Sequence, residues 1–194
     1  PLTIMQILTI DIGTDMMPAL GLGAETSEAS VMERPPRSLK ERLLNKNVIL
    51  VGFIWYGLLG TMFGLGGYFL ANFLHGWPAA ALAAEGTPAY AQATTMMLAG
   101  IVFSQIGMVL NNRTDYESVF RRGLFSNPYI NAGIVIEVLL LLGIMYIPFL
   151  NGIFNTAPIG LMEWIYLICI PFIVFGAEEC RKKLLRKRRE ERRD

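Results

Sequence analysis

Charge is scarce in this chain. Of its 194 residues only 17% are Asp, Glu, Lys or Arg, where an ordinary soluble domain carries about a quarter. Histidine occurs once, as His75, and cysteine twice, as Cys169 and Cys180. So few sulfur and imidazole groups, with no metal-ligand spacing, exclude a disulfide-rich secreted module, and the cysteines read as free thiols in a reducing setting. His75 has no partner cluster nearby and reads as a solvated residue at a helix end rather than a ligand. With 17 basic and 16 acidic side chains the net charge is +1, and nothing points to a nucleic-acid binder. Disorder is excluded by the apolar content, 53% of the chain.

That apolar content is gathered into long runs. Five candidate spans occupy about 2–22, 48–74, 94–110, 128–150 and 161–177, each near or above the ~17–25 residues that a bilayer-crossing helix needs. The expectation is an all-α integral membrane bundle of five transmembrane helices forming a single domain over 1–194, with a basic tail at 178–194. Pro128 suits the first turn of the fourth span; Pro148 and Pro171 predict a kink or an end. In the second span Gly57, Gly60, Gly64 and Gly67 fall on one helix face, a close-packing seam. The chain opens at Pro1 without a basic n-region or cleavage site, which reads as a piece of a longer polypeptide.

The connectors give an orientation. Segment 23–47 holds Arg34, Arg37, Lys40, Arg42 and Lys46; segment 111–127 holds Arg113, Arg121 and Arg122; the tail holds the other nine basic residues. Segments 75–93 and 151–160 hold none. All basic residues therefore fall on one side, and the positive-inside rule makes that side cytoplasmic, with the N-terminus outside and the C-terminus inside. Trp77 and Trp164 sit where an outer aromatic belt is expected. The sequon Asn112-Arg113-Thr114 falls on the cytoplasmic side and reads as a chance match. The tail suits either anionic lipid or a plain cytoplasmic anchor.

Ionisable groups at membrane depth cost about 2.5–3.5 kcal/mol each on insertion scales and are functional candidates by default. Asp11 and Asp15 lie four apart in the first span, and on a regular helix Thr14 and Pro18 share their face within about 100° of arc. Two carboxylates and a hydroxyl make a hard oxygen surface suited to a cation or protons. Pro18 removes a helix hydrogen bond and crowds the carbonyl of Thr14, and Gly13 lowers the cost of unwinding there; broken helices are where transporters place cation sites. The alternative is that these carboxylates pair with basic groups on helices outside this sequence. Gln105 in the third span offers either a ligand oxygen or an interhelical hydrogen bond. Glu137, near the centre of the fourth, is protonated or partnered, with a supporting or proton-path role.

The run Ile10-Asp11-Ile12-Gly13-Thr14-Asp15-Met16-Met17-Pro18-Ala19-Leu20 resembles the sixth transmembrane helix of type II P-type cation ATPases, the calcium, sodium/potassium and proton/potassium pumps. Glu25 and Met32-Glu33-Arg34-Pro35-Pro36-Arg37 continue the match; Gln105 through Arg113 resembles the eighth helix, and Ala177-Glu178-Glu179-Cys180-Arg181-Lys182 the exit of the tenth. The resemblance covers essentially the whole chain as helices six to ten. It implies a parent pump driven through a phosphorylated aspartate, using ATP and Mg2+, with cations bound among helices four, five, six and eight. Asp11, Thr14 and Asp15 then stand as helix-six ligands and Gln105 as the helix-eight position. Asp11 stands where sarcoplasmic-type calcium pumps carry Asn, Gln105 where they carry an acidic residue, and Met108 where the sodium/potassium group has a further aspartate.

The chain has no Asp-Lys-Thr-Gly, Thr-Gly-Glu or Gly-Asp-Gly-x-Asn-Asp motif. It therefore offers no family site for ATP or Mg2+, and no ATPase activity is expected of it alone. Its expected partners are the transported cation (calcium, or a monovalent ion such as sodium or potassium), the remaining helices and cytoplasmic domains of the parent polypeptide, and the lipid bilayer. The competing readings are a standalone five-span channel or secondary transporter, and a purely structural membrane subunit.

Overall fold

The computed structural model describes residues 2–26, 46–114 and 123–190. Every regular element among them is helical. The first segment consists of α1 (Ile4–Leu8), a π-helical turn π1 (Thr9–Thr14) and α2 (Met16–Gly23). Next come α3 (Lys46–Ile49), a second π-helical stretch π2 (Leu50–Tyr56) and α4 (Gly57–Leu74), then α5 (Pro88–Asn111), α6 (Pro128–Tyr146), the short α7 (Pro148–Phe154) and α8 (Leu161–Glu190).

Four helices are long and apolar enough to cross a membrane, at Leu50–Leu74, Pro88–Asn111, Pro128–Tyr146 and Leu161–Leu185. They correspond to the second to fifth expected spans. The first expected span is not one continuous helix: its apolar run is divided among pieces of 5, 6 and 8 residues. From Ile4 to Gly23 it still covers about 30 Å at roughly 1.5 Å per residue.

Sequence chemistry sets the boundaries. Thr87 caps α5 by accepting from the Tyr90 N–H (3.2 Å), with Pro88 at the first helical position. The helix therefore starts well before the expected residue 94: its first turns carry Tyr90, Gln92 and Thr94, which hide it from a hydropathy reading. Asn127 caps α6 by accepting from the N–H groups of Tyr129 and Ile130, and Pro128 takes the expected N-terminal place. Ile147, extended ahead of Pro148, ends α6, so the fourth span stops at Tyr146 and α7 turns off separately. Pro171, by contrast, lies inside α8 without ending it.

α5 is the centre of the bundle. It packs against α4 and α8 most extensively and also meets α6, π1 and α2. Met96, Leu98, Ala99 and Val102 are wholly buried on it, with Leu141 and Met145 of α6 and Leu167, Ile170 and Val174 of α8 in the same core. The α4–α5 seam is backbone against backbone. A Cβ on Gly67 would lie 2.5 Å from the Met96 carbonyl oxygen, and one on Gly100 2.6 Å from that of Phe63. Gly64 faces Ile101 at 2.9 Å, and Gly60 is looser, with Ser104 Oγ at 3.6 Å; Gly57 has nothing within 4 Å and lies outside the seam. On the outside, Phe53, Phe149, Leu161 and Phe172 are all exposed, the surface expected of helices bathed in acyl chains.

Side-chain ties identify which helix ends lie together. At one end the Tyr56 hydroxyl lies within 2.9 Å of both Asn112 Oδ1 and Glu178 Oε1, and Lys182 Nζ donates to the Asn111 carbonyl at 2.6 Å. At the other, Gln92 joins His75 (2.7 Å) to Glu163 (2.7 Å).

Candidate cation site

The first segment is regular where it is anchored and irregular where its carboxylates lie. Thr3 and Gln6 form a capping box: the Gln6 N–H donates to Thr3 Oγ1 and the Thr3 N–H to Gln6 Oε1. Gln6 is completely buried, and its amide nitrogen donates to Thr94 Oγ1 of α5 (3.3 Å) and to the Asn155 carbonyl (3.1 Å). The α1 end is thus fixed to the neighbouring scaffold.

Past Leu8 the chain widens into π1. The Asp15 N–H donates to the Ile10 carbonyl, five residues back, at 3.0 Å. The same carbonyl accepts from Thr14 Oγ1 at 3.0 Å, and Thr9 Oγ1 donates to the Met5 carbonyl at 2.8 Å. Hydroxyls bonding back onto the preceding turn bend helices, and Pro18 supplies no N–H to the Thr14 carbonyl. Single π turns inside helices are often found at functional sites.

α2 then runs along α6 with small residues at the contacts. A Cβ on Gly13 would meet Leu140 Cδ2 at 2.7 Å; one on Gly133 would meet Met17 C and Pro18 N at 3.1 Å; one on Gly21 would meet Ile130 at 2.9 Å. Gly13 therefore permits a close approach as well as an irregular turn. The antiparallel register of these three contacts brings Glu137 level with Thr14–Met16.

The residues singled out by sequence are distributed as follows. Asp11 and Asp15 are exposed on the same segment. Thr14 is wholly buried, its hydroxyl occupied by the Ile10 carbonyl, and Pro18 is buried against α6. The single arc expected of a regular helix is therefore split by the π turn, with carboxylates on the open side and the hydroxyl turned inward. Glu137 is 1% exposed, and neither of its carboxylate oxygens has a hydrogen-bond partner among the described residues. It lies within Coulombic range of Asp15, as Asp15 does of Asp11. Gln105 is half-buried on α5, its buried Oε1 also without a partner. Among the described residues no hydrogen bond joins Gln105 to the first segment, and no three His, Cys, Asp or Glu side chains form a ready-made metal cluster. Chemically, the arrangement presents two carboxylates on an open face, backed by a buried carboxyl group, Glu137, with no hydrogen-bond partner among the described residues.

Sequence reasoning passed over the groups that fix this segment. Gln6 carried no motif beyond the capping spacing Thr3-x-x-Gln6, and Arg113 looked like one of three connector arginines. Arg113 in fact pairs with Glu25 through Nε and Oε2 at 2.8 Å, its side chain 1% exposed.

Comparison with known proteins places these features. The family model described as "Cation transporting ATPase, C-terminus" matches residues 1–184. The chain is 32% identical over 193 residues to Calcium-transporting ATPase 1 of Saccharomyces cerevisiae, covering 98% of this chain and 19% of the yeast protein. It is 30% identical over 190 residues to Calcium-transporting ATPase type 2C member 1 of Mus musculus, covering 97% and 19%. To the sodium/potassium-transporting ATPase subunit alpha-B of Artemia franciscana it is 27% identical over 213 residues, covering 96% and 21%. The chain thus spans about a fifth of the length of the curated relatives it matches. With the family model matching nearly the whole chain, and a helical bundle that carries acidic residues on a broken first segment, the chain belongs to the C-terminal transmembrane region of the P-type cation-transporting ATPases.

Proposed function

We propose that this chain is the membrane-embedded C-terminal part of an ATP-driven cation pump, in which the first segment contributes ligands to the transported ion. The observation that carries the reading is the pair Asp11 and Asp15, exposed on a π turn and on the residue that follows it, between two anchored ends. A carboxylate at membrane depth is costly unless it meets a cation, a proton or a basic partner, and no Lys or Arg lies within the first segment. Asp15 is the principal ligand, Asp11 a second, with Thr14 contributing through its carbonyl, which Pro18 leaves without an N–H donor. Gln105 supplies an oxygen from α5. Glu137 supports the site as a neighbouring proton carrier, and Gly13 and Pro18 shape the turn. The ion is calcium or a monovalent cation such as sodium or potassium, in keeping with what the relatives' names state that they transport.

ATP and Mg2+ act elsewhere in such a polypeptide, because these residues include none of the phosphorylation or nucleotide motifs. The end that gathers Arg113, Arg181 and Lys182 faces the cytoplasm by the positive-inside rule, and the end with His75 and Glu163 faces the opposite compartment. Family membership favours this reading over a standalone channel.

The test is phosphorylation by ATP of the complete polypeptide, titrated with calcium, sodium and potassium, for the natural sequence and Asp15→Asn. One cation is expected to promote or suppress phosphorylation, and Asp15→Asn is expected to move its half-effective concentration at least about tenfold, the scale of one lost charged contact. Unchanged cation dependence removes Asp15 from the site.

A further inference from the structure

Ten residues beyond Asp15, about 15 Å along a helix, the first segment ends in a buried polar cluster that the ion-binding reading does not use. Arg113 follows α5 and is 4% exposed. Its Nε donates to Glu25 Oε2 (2.8 Å), and one terminal nitrogen donates to the carbonyls of Gly123 (2.9 Å) and Leu124 (2.8 Å). The other reaches Ser126 Oγ (2.6 Å) and Glu25 Oε1 (3.3 Å). Five bonds engage the full donor capacity of a guanidinium. Asn127 completes the cluster: its Nδ2 donates to Glu25 Oε2 (2.8 Å) and to the Gly21 carbonyl (3.2 Å), while its Oδ1 caps α6. One cation therefore joins the end of α2, the end of α5 and the start of α6. The opposite end of the segment is fixed by Gln6 to Thr94 and Asn155.

Between these two fixed points stands the π turn with Asp11 and Asp15. We propose that Arg113 is a positioning residue for the cation segment: through Glu25 and Asn127 it fixes the height and rotation of α2 against α6, and so sets where Asp15 stands. This rests on the ion-binding reading above. Ion affinity depends steeply on the placement of ligands, so a segment held at both ends presents its carboxylates in one geometry, whereas one released at α2 samples several and binds more weakly. Tight packing transmits that constraint, since Gly21 lies against Ile130 and Pro18 against Gly133 with no room for a side chain between.

Lysine cannot replace this fork, having three donors on a single nitrogen. The test measures, in the complete polypeptide, the concentration of the activating cation that half-saturates phosphorylation, together with the maximal phosphorylation per folded molecule. The variants are Arg113→Lys, Arg113→Ala and Glu25→Gln, with Asp15→Asn alongside. Arg113→Lys and Glu25→Gln are expected to raise the half-saturating concentration about threefold to tenfold, the span in which residues remote from a ligand alter coupling, with the maximum unchanged. Arg113→Ala is expected to exceed both, and the graded order marks partial rescue by retained charge. An unchanged half-saturating concentration overturns the proposal, and so does a lowered maximum with unchanged affinity, the mark of a merely structural role. If Arg113→Ala fails to accumulate, the two milder variants decide. A shift for Asp15→Asn without one for the Arg113 and Glu25 variants refutes the positioning role and leaves the ion site standing; no shift for Asp15→Asn refutes the ion site itself.

Discussion

The first segment and the α4–α5–α8 core solve the same problem, burying a backbone at membrane depth, in opposite ways. In the core, small residues let helices touch backbone to backbone: Gly67 lies against Met96 and Gly100 against Phe63, and buried apolar side chains form one continuous cluster. In the first segment the helix is interrupted, a threonine hydroxyl takes up a carbonyl of the preceding turn, and two carboxylates stay exposed. The glycine seam and apolar interior of the core gain from regularity because close packing is what they contribute. On the proposed reading, the first segment gives up regularity where its carbonyl and carboxylate oxygens serve the transported ion. The comparison predicts that changes in the core alter stability and leave cation affinity alone, and that changes on the open face of the first segment do the reverse.

The strongest way to break this comparison is to fill the seam. Gly67→Val in the complete polypeptide puts side-chain atoms onto the Met96 carbonyl, and overpacking of this kind costs about 1–3 kcal/mol or more. The expected outcome is a large loss of folded protein in a detergent thermal-stability assay, with unchanged cation dependence in the molecules that do fold. Next in size is Gln6→Leu, which leaves Thr94 Oγ1 and the Asn155 carbonyl without this donor. Its cost is about 1–3 kcal/mol, and a thermal-stability scan should show a lower midpoint together with weaker cation binding, because Gln6 belongs to both regions. Asp11→Asn removes an exposed charge near Asp15 and should leave the thermal midpoint level or raised while weakening cation binding; a drop in stability with unchanged affinity would assign Asp11 to structure. The smallest effect is expected at Gly23, near the end of α2 with nothing within 4 Å of an added Cβ. Gly23→Ala there should stabilise by about 0.5–1 kcal/mol, read as a modest rise in the thermal midpoint without change in affinity.

Much of this arrangement was legible in the sequence, for identifiable reasons. Long apolar runs report helices directly, so the second to fifth spans were locatable, and Pro128 and Pro148 marked real ends because proline acts on the local backbone. Where tertiary contacts decide, sequence reasoning went astray. α5 begins at Pro88 because its polar first turns find partners, with Thr94 bonded to Gln6, Thr95 to Ala157 and Gln92 to Glu163. Of the two outcomes expected at Pro171, a kink or an end, the end does not occur: α8 continues through it along α5. Asp11, Asp15 and Pro18 announced an irregular segment, but that Thr14 turns inward could not be read from a 100° helical wheel, since the π turn changes the angular spacing. Nor were the bonds of Arg113 and Asn127 to Glu25 visible, because Glu25 lies 88 and 102 residues from them and meets them only in the folded bundle.

Asp15, where the π turn meets α2, is the residue proposed to bind the transported ion. Its most direct test is equilibrium binding, without ATP, of whichever of calcium, sodium or potassium governs phosphorylation, to the purified complete polypeptide and its Asp15→Asn variant at matched folded fractions. A weakening of at least about tenfold, with an unchanged thermal midpoint in the absence of the ion, is the predicted result. Equal binding by the two proteins would contradict it.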